Sequence, residues 1–202
     1  DRIDRDLSPE GCSTVMCSIL GILDIKSDPL ALRTQALEQS RLMRHRGPDW
    51  SGIYNDERAI LVHERLAIVG VDSGAQPLRC PNGDLVLAVN GEIYNHRNLR
   101  AEFEGAFQFQ THSDCEVILP MYRADQGAEE MAAWLNRLEG MFGFILWDAT
   151  KGSWLVARDP IGIIPLYYGY DAHGNFYVGS ELKSLAGVCR DAKEFPERQR
   201  GK

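Results

Sequence analysis

The sequence predicts an α+β domain in which antiparallel sheet is covered by helices. Three observations carry that prediction. The stretch Cys17-Ser-Ile-Leu-Gly-Ile-Leu-Asp-Ile-Lys26 is dominated by apolar residues and reads as a buried strand. Leu32, Ala36, Ser40 and Met43 fall on one face at helical spacing. Between residues 142 and 179, apolar runs return in quick succession across tight polar turns, the mark of antiparallel pairing.

The first strand opens with a thiol, and Gly21 within it leaves room for close backbone approach. Asp28 then caps a helix with Pro29 in its first turn, and Gly47-Pro48 is expected to end it. Strands are expected around Ser51–Asn55 and Ala59–Leu66, followed by a long turn at Val71–Pro77. Asn82-Gly83 forms the tip of a hairpin turn that feeds a strand at Leu85–Val89. Asn95–Glu104 reads as a short helix, and Phe107–Gln110 alternates like a strand. Cys115–Arg123 looks helical, with Pro120 expected to kink or shorten it. A helix at Ala128–Leu138 precedes strands at Phe142–Trp147, Ser153–Arg158, Leu166–Tyr170 and Phe176–Gly179. Glu181–Ala186 suggests a last short helix.

With 202 residues, 44% of them hydrophobic and 25% charged, the chain has an ordinary globular composition. A net charge of −7 argues against a nucleic-acid or anionic-membrane surface. No apolar run approaches the roughly 20 residues of a membrane-spanning helix. The five cysteines are scattered and odd in number, so they indicate neither a zinc site nor a disulfide framework. A reducing, cytoplasmic setting is expected.

Residues 1–16 are acidic and polar with no core-forming period. They read as an extension: upstream translated sequence, a removable propeptide or an expression remnant. Met16 is the only methionine ahead of Met43, and a start there, followed by its removal, leaves Cys17 first. One residue then holds a nucleophilic sulfur and a free α-amine, whose pKa of about 7.7–8.0 suits it to act as a base. A buried strand cysteine with no chemistry is the alternative for Cys17 alone.

Polar words gather at strand ends and turns. They are Arg44-His-Arg-Gly-Pro-Asp49, His63-Glu-Arg-Leu66, Asn90-Gly-Glu-Ile-Tyr-Asn95 and Thr111-His-Ser-Asp114. Each alone has a structural explanation: a helix stop, a solvated strand end, an Asn-Gly turn, an N-cap.

Their order is another matter. Cys17, Arg46-Gly-Pro-Asp49, Arg65, Asn90-Gly-Glu92 and Asp114 together resemble the class II glutamine amidotransferases, which are N-terminal-nucleophile hydrolases that release ammonia from glutamine. Within them, His45–Trp50, Gly74-Ala-Gln-Pro-Leu78, Arg158–Tyr167 and Ser180-Glu-Leu-Lys183 look like the glutaminase domain of bacterial B-type asparagine synthetases. The resemblance runs from Cys17 to about Phe195, as one domain over residues 17–195, with 196–202 as a divergent or truncated tail.

The resemblance implies a four-layer αββα sandwich of two antiparallel sheets flanked by helices. It implies that Cys17 attacks the amide of L-glutamine and that Asn90 and Gly91 form the oxyanion hole. Arg65 would bind the substrate carboxylate, Asp114 and Glu92 its ammonium, and backbone around Ile68 and Val69 would touch it too. Arg46 would support the site. No metal and no cofactor is implied for this domain; ATP and Mg belong to an ATP-dependent synthetase domain as partner. The resemblance leaves room for a homodimer.

Two departures qualify it. With residues 1–16 attached, the Cys17 amine is an amide, so activity is expected only after their removal. After Glu194-Phe-Pro196 no synthetase domain or Gly-rich pyrophosphate loop follows, so the chain alone is not expected to make asparagine. Rival readings are a non-catalytic glutamine-binding or scaffolding module and a glutaminase serving another acceptor.

Overall fold

The computed structural model describes residues 17–65, 75–124 and 133–196. In chain order these form β1 (Ser18–Leu23), α1 (Pro29–Arg41), β2 (Trp50–Asn55), β3 (Ala59–Arg65), β4 (Leu78–Arg79) and β5 (Leu85–Ile93). Then come α2 (His96–Glu102), a 3-10 turn at Asp114–Val117, α3 (Ile118–Ala124), β6 (Gly140–Asp148) and β7 (Ser153–Arg158). β8 (Tyr167–Tyr170), β9 (Phe176–Gly179), α4 (Lys183–Ala186) and β10 (Lys193–Glu194) follow.

The strands make two sheets, ordered β10-β8-β9-β1-β3-β2 and β4-β5-β6-β7. Every ladder is antiparallel. Because strand side chains alternate, each central strand can bury both faces. Ile19, Leu23, Ala59 and Leu61 of the first sheet meet Val86, Ala88, Ile145 and Trp147 of the second. Their neighbours Leu20, Ile22, Ile60 and Val62 point the other way, onto Leu32 and Ala36 of α1 and onto Met43. On the far side, Leu85, Leu87, Val89, Phe144 and Leu146 pack against Leu99 of α2 and Ile118, Leu119 and Met121 of α3. Three apolar seams therefore bind four layers, helix on sheet on sheet on helix, as the αββα reading expected. At Gly21 a Cβ would stand 2.7 Å from the Ile145 side chain, so the missing side chain lets the sheets close.

Most element expectations hold, and the departures have physical causes. Asp28 caps α1 as expected, its carboxylate accepting from the Leu30 and Ala31 N–H groups at 3.1 and 3.3 Å. The helix stops at Arg41 rather than at Gly47, and successive turns carry Met43 into the core. β1 ends at Leu23 because Asp24 takes φ 52°, which breaks the strand. β5 runs on through Asn90–Ile93, because β6 offers partners along its full length. Phe107–Gln110 forms no strand. Its alternation instead seats Phe107 in the helical-side core with Phe109 against its edge, ring centroids 5.0 Å apart. Pro120 neither kinks nor ends α3: it lies in the first turn, where its missing N–H costs nothing. β7 and β8 do not pair; the chain changes sheets between them. Most of Val71–Pro77 and the start of Ala128–Leu138 lie outside the described residues.

Candidate active site

The two-residue period that builds the core also sorts the polar residues at the open end of the sandwich. On β3, Ala59 and Leu61 face the second sheet, so His63 and Arg65 share that side. His63 bears this out: its Nε2 donates to the Val89 carbonyl of β5 at 3.2 Å, bridging the sheets. The same count carried back from Ile19 puts Cys17 on the inner side. On β5, Val86 and Ala88 face inward, so Asn90 and Glu92 do too. The thiol, the arginine, the amide and one carboxylate thus converge on one end of the intersheet space.

Asn90 is 1% exposed, and among the described residues its Nδ2 has no hydrogen-bond partner. A buried amide donor left unmade costs roughly 1–3 kcal/mol, so its presence asks for a reason. Beside it Gly91 takes φ 138°, a backbone form that side chains rarely adopt, and a Cβ there would lie 2.1 Å from the Met141 carbonyl oxygen. The two residues put a neutral donor with its bond unmade beside a glycine whose missing Cβ lets β6 approach, at the Cys17 end.

Asp114 opens the 3-10 turn, and its Oδ2 accepts from the Ile93 N–H at 2.6 Å. That bond ties the acid to the last residue of β5. Cys115 follows, buried, with its thiol 3.6 Å from both the Gly91 carbonyl and Asp114 Oδ2. Burial pushes the Cys115 thiol well above its ordinary range, and the charges of Asp114, Cys17 and Glu92 add to the rise. Those four groups therefore share one electrostatic neighbourhood. His63 is fully buried, and that desolvation brings its pKa down to about 3. It is a neutral imidazole at ordinary pH, and its bond to a carbonyl puts the proton on Nε2.

Arg46 joins the turn after α1 to Cys17. Its Nε lies 3.4 Å from the Cys17 carbonyl oxygen and its Nη1 3.2 Å from Glu181. Gly47 packs where a Cβ would stand 2.3 Å from the Glu64 carbonyl, and the Asp49 N–H donates to the Arg65 carbonyl at 3.1 Å. The Arg-Gly-Pro-Asp word thus docks on the end of β3, holding Arg46 and Arg65 close by. Ile68 and Val69 lie outside the described residues.

Residues 16–199 match the family model of the glutamine amidotransferase domain. The chain belongs to that family. It is 60% identical over 181 residues to asparagine synthetase B [glutamine-hydrolyzing] of Escherichia coli (strain K12), covering 90% of this chain and 32% of that protein. It is 50% identical over 183 residues to a probable asparagine synthetase of Schizosaccharomyces pombe, again over 90% of this chain and 32% of that one. The chain thus spans about a third of the length of the curated relatives it matches. Among solved structures, the glutamine phosphoribosylpyrophosphate amidotransferase of Bacillus subtilis superposes with a TM-score of 0.69 at 20% identity, over 91% of this chain and 50% of that one. A second, described as the allosteric regulatory enzyme of purine biosynthesis, gives 0.71 at 24%, over 86% and 44%. At those identities the likeness speaks for the fold.

In this amidotransferase domain, strand parity puts Cys17, Arg65, Asn90 and Glu92 on inner faces, and Cys115 shares its surroundings with Cys17, Glu92 and Asp114. Three neighbours were missed. His63 and Glu181 were quoted inside motifs but given no task, and Cys115 was read only as the start of a helix. The two-residue period would have placed His63 on the inner face. Nothing in the sequence aims Glu181 at Arg46, because their meeting is set by sheet order. No group of three or more His, Cys, Asp or Glu that could hold a metal ion occurs among the described residues. No helix there is long and apolar enough to cross a membrane.

Proposed function

We propose that this domain hydrolyses L-glutamine to glutamate and ammonia through a thioester on Cys17, once Cys17 is the first residue. The observation that supports it best is the unpaired, buried Asn90 Nδ2 beside Gly91, on the face that meets Cys17. Such donors are most useful where negative charge appears only during reaction.

The thiol proton passes to the Cys17 α-amine as Sγ bonds to the side-chain carbonyl carbon of glutamine. The carbonyl electrons move to oxygen, which accepts hydrogen bonds from Asn90 Nδ2 and the Gly91 N–H. Collapse breaks the C–N bond, and the α-ammonium returns its proton to the departing ammonia. Water then attacks the thioester, giving its proton to the amine; the C–S bond breaks, the thiol is restored and glutamate leaves. Arg65 pairs with the substrate carboxylate, for which a guanidinium fork is suited. Asp114 and Glu92 take its ammonium; both contacts given above for Asp114 use Oδ2. Backbone around Ile68 and Val69 completes the substrate contacts. The steps drawn need no metal or cofactor.

In a longer protein like the relatives, the ammonia would serve an ATP- and Mg-dependent synthetase domain converting aspartate to asparagine. The reading places the chain in a reducing cytoplasm, where thiols such as Cys17, Cys80, Cys115 and Cys189, none of them in a disulfide, stay reduced. The test compares glutamine turnover by protein beginning at Cys17 with that of the chain carrying residues 1–16. Turnover is expected only in the first. Equal turnover in both, with the extension verified by intact mass, would overturn the role of the α-amine.

A further inference from the structure

We propose that Glu181 is a positioning residue for this reaction: it anchors Arg46 against the Cys17 carbonyl and supplies the negative charge that offsets that arginine beside the nucleophile. The proposal rests on Cys17 being the nucleophile. Glu181 follows Ser180, and Ser180 grips β1 just past Cys17. Its Oγ accepts from the Ile19 N–H at 2.9 Å and its own N–H donates to the Ile19 carbonyl at 3.0 Å. The backbone start of β1 is thus held from β9 through two bonds. The adjoining carboxylate reaches Arg46, which in turn reaches the Cys17 carbonyl. α4 fixes the backbone of Glu181 from behind, since the Ser184 hydroxyl donates to its main-chain carbonyl at 2.7 Å.

Three basic side chains meet on this one acid. Arg46 lies at 3.2 Å, His45 Nε2 at 3.0 Å and Lys183 Nζ at 2.9 Å. Burial raises the Glu181 carboxyl, but its bonds to Lys183 and Arg46 and the charge of His45 outweigh that and leave it below the ordinary range. It therefore stays ionised through neutral pH. His45 and Lys183 are half exposed and screened by water, whereas Arg46 is mostly buried and faces Cys17. On the side of the second sheet, Glu92 of β5 and Asp114 of the 3-10 turn share the surroundings of Cys115 with Cys17, and Cys115 is neutral; Arg65 ends β3 on the same inner face. Removing the Glu181 charge leaves the Arg46 charge uncompensated at the nucleophile, and the thiol should ionise more easily.

The experiment measures the rate of Cys17 alkylation by iodoacetamide against pH in the full chain, with peptide mapping to assign the label. Glu181→Gln keeps shape and hydrogen bonding but loses the charge, and should lower the pH midpoint by roughly half a unit. Glu181→Asp keeps the charge and should restore the wild-type midpoint, while Arg46→Gln should move it upward. In protein beginning at Cys17, Glu181→Gln should lower kcat about tenfold with KM within about twofold of wild type. A midpoint unmoved by Glu181→Gln, or a change confined to KM, would overturn the proposal. The alkylation profile judges Glu181 even if the protein beginning at Cys17 turns over no glutamine, a result that would instead sink the hydrolysis reading.

Discussion

Glu64 and Asn90 make an instructive pair. Both are polar, both are almost fully buried, and both lie near the same end of the sandwich on central strands. Glu64 points out toward α1 and is saturated: the hydroxyls of Ser40 and Ser51 each donate to it at 2.5 Å. Asn90 points into the intersheet space, and its donor is unmade. Burying a polar group is tolerable when its partners are supplied. The paired acid is therefore explained by architecture, as the tie between β3, α1 and β2. The unpaired amide costs stability that the fold does not recover, and in the proposed hydrolysis its use is to hold a charge that forms during reaction.

The comparison can be broken first at the thiol. Cys17→Ala should abolish glutamine hydrolysis and leave the unfolding midpoint unchanged, because the residue is half-buried ahead of β1 and an alanine fits. A glutamine-analogue electrophile should label Cys17 and spare Cys80, Cys115 and Cys189; label found mainly on one of those would refute the nucleophile.

Next come the groups that meet unchanging charge. Arg65→Ala and Asp114→Ala should raise KM by well over tenfold with a smaller effect on kcat, since the two charged ends of glutamine are the same in ground and transition states. Loss of a desolvated charge contact typically costs about 2–5 kcal/mol. If either variant lowered kcat alone, the substrate would be the wrong way round.

The smallest effect sharpens the structural side. His63 titrates near pH 3 when folded and near 6.5 when unfolded. The unfolded chain binds the proton first, so stability is full above about pH 6.5 and falls as pH drops toward 3. The loss is about 1.4 kcal/mol per unit in that window. Urea midpoints between pH 7 and pH 5 should fall in the wild type and fall less in His63→Gln. Parallel slopes in the two proteins would mean that another group carries the acid sensitivity.

Much of this was legible because the period of two is local. Once β1, β3 and β5 are seen as strands buried on both faces, the parity of Cys17, Arg65, Asn90 and Glu92 follows, and with it their meeting. What hid was non-local. Asn90-Gly91 reads as a turn until β6 supplies partners that extend β5 through it. Phe107–Gln110 alternates without a neighbouring strand, and packing alone uses the pattern. Arg46 and Glu181 are 135 residues apart, and only the placement of β9 beside β1 joins them.

The contrast between saturated and unsaturated burial is tested most directly by making Asn90→Ala and Glu64→Gln in protein beginning at Cys17. Steady-state glutamine hydrolysis and the urea midpoint are then measured on each. The account predicts that Asn90→Ala lowers kcat by roughly 10²–10³ while its midpoint stays at or above wild type. It predicts that Glu64→Gln loses about 1–3 kcal/mol of stability, because an amide cannot accept from both hydroxyls as the carboxylate does. Its kcat should change little. An Asn90→Ala enzyme that unfolds early yet turns over glutamine at the wild-type rate would contradict the account.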